Sequence, residues 1–256
     1  MKNIYLFSNI YPKYRRGIWD KLLKTENLNF IFFFSDKTID NIATISVEKE
    51  YCINDQKSFK KIDNIFLDKW LIWQKGALSR TFDSVSAVIF LGEMTVISTW
   101  IASFILRLRG VKVIFWGHGI YGNESRPKLL LRKTFMKLAN HNLVYEERAK
   151  KIMIENGFKQ NKISVVYNSI NYEQQLKLFQ KLEKQKQSSI FKNNYPVLLF
   201  IGRVTRQKKI DQLIEAAKTL NKRANFNLLI IGDGEEKLIL EELAKDLIKE
   251  NKCIFY

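Results

Sequence analysis

The chain of 256 residues is 46% apolar and 27% charged, which excludes a disordered polymer and allows one large domain or two modest ones. Its formal net charge of +17 favours anionic partners such as nucleic acid, an acidic membrane surface or phosphorylated small molecules; a cell interior that tolerates basic proteins is the plain alternative. Two distant cysteines, Cys52 and Cys253, suit neither a disulfide framework nor a zinc site, and three prolines leave no Pro-rich linker.

In chain order, Ile4–Ser8 reads as a strand and Gly17–Lys24 as a helix, followed by a second strand at Asn29–Phe34. Between Asp36 and Asp68 only Thr44–Val47 and Tyr51–Ile53 suggest short strands, and Trp70–Arg80 has helical spacing. Then come a strand at Ala87–Leu91, a helix at Thr95–Leu108 and a strand at Lys112–Trp116. A helix follows Pro127, then a strand at Leu143–Val144, a helix ending at Asn156 and a strand at Ile163–Val166. Continuous apolar strands separated by helices mean a parallel sheet covered on both faces. Residues 171–194 are polar, with helical spacing at Leu176, Phe179 and Leu182, and read as a connection plus a helix. Strand–helix alternation then resumes: Pro196–Ile201, Ile210–Leu220, Phe226–Ile231, Glu235–Lys249 and Cys253–Tyr256.

The expected class is therefore α/β, with two Rossmann-like domains over residues 1–170 and 171–256. The second has too few strands for a full doubly wound sheet, so it is expected to be incomplete, with the 197–201 strand at one edge. An apolar strand with an open edge recruits other chains, which predicts self-association through this domain or docking of its bare side on the first. Both parts are basic: residues 1–172 hold 27 Lys and Arg against 15 Asp and Glu, and the remainder 16 against 11. The N-terminal ten residues resemble a buried strand more than a signal peptide, and Met94–Leu106 is too short to span a bilayer. The expected location is cytoplasmic, with peripheral contact at the inner membrane face as an option.

Ligands of parallel sheets bind beyond the carboxyl ends of the strands. At one such end, Gly202 is followed by Arg203, Arg206, Lys208 and Lys209 just before a helix. Cations at a helix N-terminus oppose its dipole unless an anion lies between them, and a pyrophosphate fits. A solvated basic loop is the competing reading. The next strand ends Gly232-Asp233-Gly234, which permits a sharp turn and a close backbone approach but lacks the third glycine of a dinucleotide fingerprint. In the first domain Gly117-His118-Gly119 follows a strand, where His118 could touch a ligand or be structural; His141 reads as structural. Arg15 and Arg16, between the first strand and helix, repeat the anion-site pattern as an acceptor or phosphate side, and an ordinary basic loop is equally compatible. The sequence has no phosphate-loop, G-x-S-x-G, H-E-x-x-H or D-x-D motif, so no metal or cofactor is expected. A leaving phosphate would have to be neutralised by Arg, Lys and helix dipoles.

Taken together, Phe200–Asp211, Ala216-Ala217 and Ile230–Gly234 resemble glycosyltransferase family 4, the retaining GT-B enzymes. The family pattern has Gly where this chain has Lys209, and Val165–Ile170 is similar to its interdomain Asn-Gly signature, with Ser169 in place of Gly. Tyr14-Arg15 looks like members acting on polysaccharide or lipid-linked acceptors. The resemblance implies a retaining transfer of a hexosyl-type sugar from a nucleotide diphosphate sugar to a saccharide or lipid-linked acceptor. It implies that Arg203 and Lys208 bind the donor pyrophosphate, that Gly234 lines the same site and that His118 contacts the transferred sugar. The family's base-gripping segment and glutamate pair have no counterpart here, so turnover by these 256 residues is expected to be impaired. Three further readings compete: a basic nucleic-acid-binding protein, for which no module is found; a nucleotide-dependent oxidoreductase or sugar epimerase, whose glycine-rich first turn is missing from Ser8–Arg16; and an inactive scaffold.

Overall fold

A computed structural model describes residues 1–36, 42, 44–68, 71–168, 170–184 and 190–256. The chain forms two compact units, Met1–Lys181 and Leu182–Tyr256; the sequence reading places the boundary at 170/171.

The first unit begins with β1 (Lys2–Ile10), α1 (Arg16–Leu23) and β2 (Leu28–Ser35). Ile4–Phe7 are buried on both faces of β1, as a central parallel strand requires. Two short helical turns, α2 (Val47–Glu50) and α3 (Ile53–Gln56), then precede β3 (Phe59–Lys61). The strands expected at 44–47 and 51–53 do not form. Thr44 makes only an isolated bridge to Pro12, and Glu50 reaches back to the Ser46 N–H, which favours a helical turn.

The helix expected over 70–80 is also absent. Trp70 lies outside the described residues, and Ile72–Gln74 is β5, paired antiparallel with β4 (Asn64–Phe66). Gln74 is buried and donates from Nε2 to the Ser8 carbonyl and to Asn64, while Gly76 at φ 90° turns the chain out of any helix. Tertiary hydrogen bonds thus override a local helical pattern.

The remaining elements follow the expected alternation closely: β6 (Ala87–Leu91), α4 (Ile97–Leu108), β7 (Lys112–Gly117), α5 (Arg126–Met136), β8 (His141–Val144), α6 (Glu147–Glu155) and β9 (Ile163–Val165). The seven-stranded sheet has the order β3-β2-β1-β6-β7-β8-β9, every pair parallel. Its order reverses between β1 and β6, the crevice where doubly wound sheets bind ligands. One face packs Phe7, Phe33, Phe90 and Phe115 against Ala102 and Leu106 of α4 and Phe135 of α5. The other packs Trp19 of α1 with Tyr11, Phe32, Phe59 and Trp116. Helix α7 (Tyr172–Glu183) occupies the expected polar connection.

The second unit contains β10 (Val197–Ile201), α8 (Ile210–Asn221), β11 (Asn227–Ile231), α9 (Lys237–Leu243), α10 (Lys245–Lys249) and β12 (Cys253–Phe255). All pairing is parallel in the order β10-β11-β12, with β10 at an edge. The single helix expected over 235–249 is broken at Ala244 (φ −88°, ψ 3°). The break lets Leu240, Ala244 and Leu247 all reach the core formed with Ile214, Leu228 and Ile230. β11 is covered, whereas Val197, Leu198, Leu199 and Ile201 of β10 remain exposed.

Candidate functional site

In the second unit the site is assembled by two loops at the carboxyl ends of β10 and β11. The Val204 N–H donates to the Asp233 carbonyl (2.8 Å), and the Glu236 N–H donates back to the Val204 carbonyl (3.2 Å). This stitching forces the two backbones together. A β-carbon on Gly232 would collide with the Gly202 carbonyl oxygen, and one on Gly234 with that of Val204. Gly232 has φ 149°, a region open to glycine.

Val204 is fully buried and anchors the basic loop, while Arg203, Arg206, Lys208 and Lys209 on either side are exposed. A 3-10 turn at Arg206–Lys208 leads into α8 through Lys209, which is left-handed (φ 55°, ψ 39°). That is the conformation glycine adopts cheaply and a lysine only at a cost. Among the described residues no side chain caps the start of α8; the Gln212 N–H turns back to the Lys209 carbonyl (3.1 Å), which leaves the Ile210 and Asp211 N–H groups for a ligand. Gly234, Arg203 and Lys208 therefore occur at the same end of one three-stranded sheet, with Asp211, Asp233 and Glu236 as nearby acids in the chain.

In the first unit His118 sits on the loop after β7. Gly119 (φ 66°) is pinned there because a β-carbon would press on Met153 and Val144, and one on Gly122 (φ 85°) would strike Ile152. Glu124 closes the loop by accepting the N–H groups of Tyr121 (3.0 Å) and Gly122 (2.7 Å). Its partner is Arg132 at 2.8 Å, which also lies over the Tyr121 ring. Burial pushes the Glu124 carboxyl up, but the backbone donors and Arg132 outweigh it and hold the group below its ordinary value.

The His118 ring is solvent-exposed, edge-on to Tyr145 at 4.8 Å and tilted against Tyr121 at 5.6 Å. Partial desolvation lowers its pKa; Glu146 opposes this, and Arg15 and Arg132 reinforce it. The ring is accordingly neutral at pH 7.

Arg15, after β1, is buried although charged. Its Nη2 donates to the Tyr145 hydroxyl at 2.6 Å, and its guanidinium lies 4.9 Å from the centroid of the Trp116 ring. Among the described residues it has no carboxylate partner, and its Nε has no acceptor. A guanidinium held by π faces and a phenol keeps its positive field, which suits an anionic ligand. Arg16 is directed elsewhere: Nη1 pairs with Glu50 (2.6 Å) and Nε with Asp20 (3.6 Å), tying α1 to α2. Arg15 and His118 thus converge on Tyr145, whereas Arg16 does not join them.

Sequence reasoning missed Tyr145, Trp116, Glu124 and Arg132. Tyr145 directly follows β8, so the rule that ligands lie beyond strand carboxyl ends could have found it. His141 donates to or accepts from Ser164 at 2.9 Å across β8 and β9, in keeping with its structural reading. Ser169, which stands at the interdomain signature, lies outside the described residues.

These features define an α/β protein of two Rossmann-like units that place basic side chains and glycine-tight turns at their strand ends. Residues 181–256 match the family model described as Glycosyl transferases group 1. An uncharacterized glycosyltransferase, MJ1059, of Methanocaldococcus jannaschii is 33% identical over 171 residues, which cover 66% of this chain and 41% of that protein. The chain thus spans well under half of this relative's length. The solved structure of the lipopolysaccharide outer core galactosyltransferase WaaB in its apo form aligns with a TM-score of 0.59 at 16% identity, covering 100% of this chain and 68% of that one. The UDP-GlcNAc 2-epimerase of Neisseria meningitidis bound to UDP-GlcNAc gives 0.58 at 14% identity, covering 100% and 72%. At such identities these two structures bear on the fold alone.

Proposed function

We propose that this chain carries part of the donor-binding machinery of a retaining glycosyltransferase of the GT-B kind, and that the whole protein moves a hexosyl-type sugar from a nucleotide diphosphate sugar to a saccharide or lipid-linked acceptor. One observation carries the reading: the exposed Arg203–Lys209 cations and the start of α8, which no described side chain caps, lie within the segment that matches a glycosyltransferase family.

In this reading Arg203, Lys208 and the α8 N–H groups hold the donor pyrophosphate, and Gly234 lines the same site. During transfer the bond from the sugar C1 to the phosphate oxygen breaks with its electron pair leaving on the diphosphate, and an acceptor oxygen bonds to C1 as its proton is released to water. The diphosphate leaves with its new negative charge neutralised by those cations, without a metal step. His118, neutral and held on a rigid loop, contacts the transferred sugar as a hydrogen-bonding group. Arg15 supplies positive potential on the acceptor or phosphate side. A sugar epimerase reading shares the fold and the nucleotide sugar, but the family match of residues 181–256 favours transfer.

Calorimetry with UDP, GDP and ADP tests the site. Arg203→Ala/Lys208→Ala is expected to weaken the best of them at least about tenfold, since each charge-assisted hydrogen bond contributes ~1.5–3 kcal/mol. Unchanged affinity in the double variant would remove the pyrophosphate assignment. A panel of nucleotide sugars then separates transfer from epimerisation by product.

A further inference from the structure

We propose that the outer face of α4 and α5 docks the first unit on an anionic lipid surface. This extends the reading of a membrane-side acceptor, but its test does not depend on sugar transfer.

Both helices pack on the same side of the seven-stranded sheet, through Ala102 and Leu106 of α4 and Phe135 and Met136 of α5. Trp100 meets Phe135 at 4.8 Å, and the Arg107 Nη1 donates to the Lys137 carbonyl at 2.7 Å, which locks the helices side by side. Their other sides face solvent. On α4 that side carries Ile101, Phe104 and Leu108 at spacings of three and four, with Leu108 74% exposed. On α5 it carries Leu130, 67% exposed, and Leu131. Phe82, also exposed, adjoins through Arg109, whose guanidinium lies 5.9 Å from the centroid of its ring.

The charge around these apolar groups is predominantly positive. Residues 94–143 contain eight Lys and Arg and a single acid, Glu124. Glu124 is itself consumed by buried Arg132 and two backbone N–H groups. The acid nearest Phe82, Asp83, is engaged by Tyr5 and Arg80. Arg126 and Lys128 on α5, Lys137 at its C-terminal cap, and Arg107 and Arg109 at the end of α4 are all exposed.

A face of exposed Leu and Phe within cations, with no free acid, has the composition of an interfacial membrane element. Charge complementarity selects a surface of anionic headgroups, into which the apolar stripe can sink. A protein partner would have to supply acids across the whole face.

The test is co-sedimentation of the full 256-residue chain with phosphatidylcholine vesicles, with and without phosphatidylglycerol. The expected result is binding only when phosphatidylglycerol is present, weakening with salt. Arg126→Gln/Lys128→Gln should lower the partition constant about 5-fold per cation. Phe104→Ser/Leu108→Ser should lower it at least about tenfold, with an unchanged urea midpoint and unchanged nucleotide diphosphate affinity. Lys222→Gln/Lys249→Gln, the same charge change in the second unit, should leave it unaltered. Absence of binding, equal binding to neutral vesicles, or an equal loss in the Lys222/Lys249 control would overturn the proposal. So would self-association that requires Phe104 and Leu108 without vesicle binding, since that outcome makes the face a protein interface.

Discussion

Lys209 offers a test of how the basic loop is built. It holds φ 55° and ψ 39°, where its β-carbon crowds the following carbonyl. For an ordinary L-residue this conformation costs ~1–2 kcal/mol. Glycine would remove that cost but lose about 0.5–1 kcal/mol through its freer unfolded state. Lys209→Gly is therefore expected to stabilise the chain by roughly 0.5–1 kcal/mol. At a urea slope of ~2 kcal/mol/M, the midpoint should rise by ~0.3–0.5 M. The assay is urea unfolding followed by far-UV circular dichroism, with Lys209→Ala beside it. Alanine removes the cation but keeps the β-carbon, so its midpoint should not rise. If Lys209→Gly were no more stable than Lys209→Ala, the left-handed geometry would not be the source of strain. On the proposed assignment of the pyrophosphate to Arg203 and Lys208, the substitution should also leave nucleotide diphosphate binding largely intact.

Other outcomes follow from the same structure. Cys52 is exposed and Cys253 is buried, its thiol pushed up to about 11 by desolvation, so a thiol reagent should label one cysteine in the native chain and both in urea. Rapid labelling of Cys253 in the native state would contradict the packing of β12. His118 and His141 are both held below the ordinary histidine value by burial, so the unfolded chain binds more protons and stability falls as pH drops through 6.5 and below. Glu146→Gln should lower the His118 midpoint further in an NMR titration, since Glu146 is the group that raises it; a rise would refute the electrostatic account. The exposed β10 edge should drive concentration-dependent self-association, read by light scattering, and Leu199→Lys should suppress it. A monomer at all concentrations would show that the edge is inert.

The legible parts of the fold were those in which local pattern and tertiary role agree. The strands β1, β2, β6 and β7 are apolar runs bounded by helical patterns, and their doubly covered position follows from that alone. The segment between β2 and β6 was not legible, because its strands are three residues long and owe their existence to distant partners: Phe59 pairs with Phe32, and Gln74 bonds to Ser8, Asn64 and Ser98. A periodicity window sees none of these bonds. The basic loop after β10 could be read from its position, since the carboxyl end of a parallel strand is fixed by topology. The convergence of Arg15, Trp116 and Tyr145 could not, although the strand-end rule reaches Arg15 and Tyr145 singly, because the three come from separate strand ends and meet only when β1, β7 and β8 share a sheet.

The Gly-Asp-Gly turn after β11 shows why a motif has to be divided into its physical parts before a role is assigned. Both glycines are required by packing inside the second unit, for each faces a carbonyl of the β10 loop that no β-carbon could clear. The Val204–Asp233 and Val204–Glu236 hydrogen bonds that demand this closeness are complete without any ligand. The glycines therefore specify where the loop lies, not what it binds. The opposite holds for Arg203 and Lys208, whose exposed side chains contribute little to the core. Their position at the start of α8 raises the local positive potential, which Asp211 in the first turn partly offsets and which an anionic ligand would offset further. In the proposed site the cations would supply the ligand chemistry, and the glycines contribute by bringing two strand ends close together.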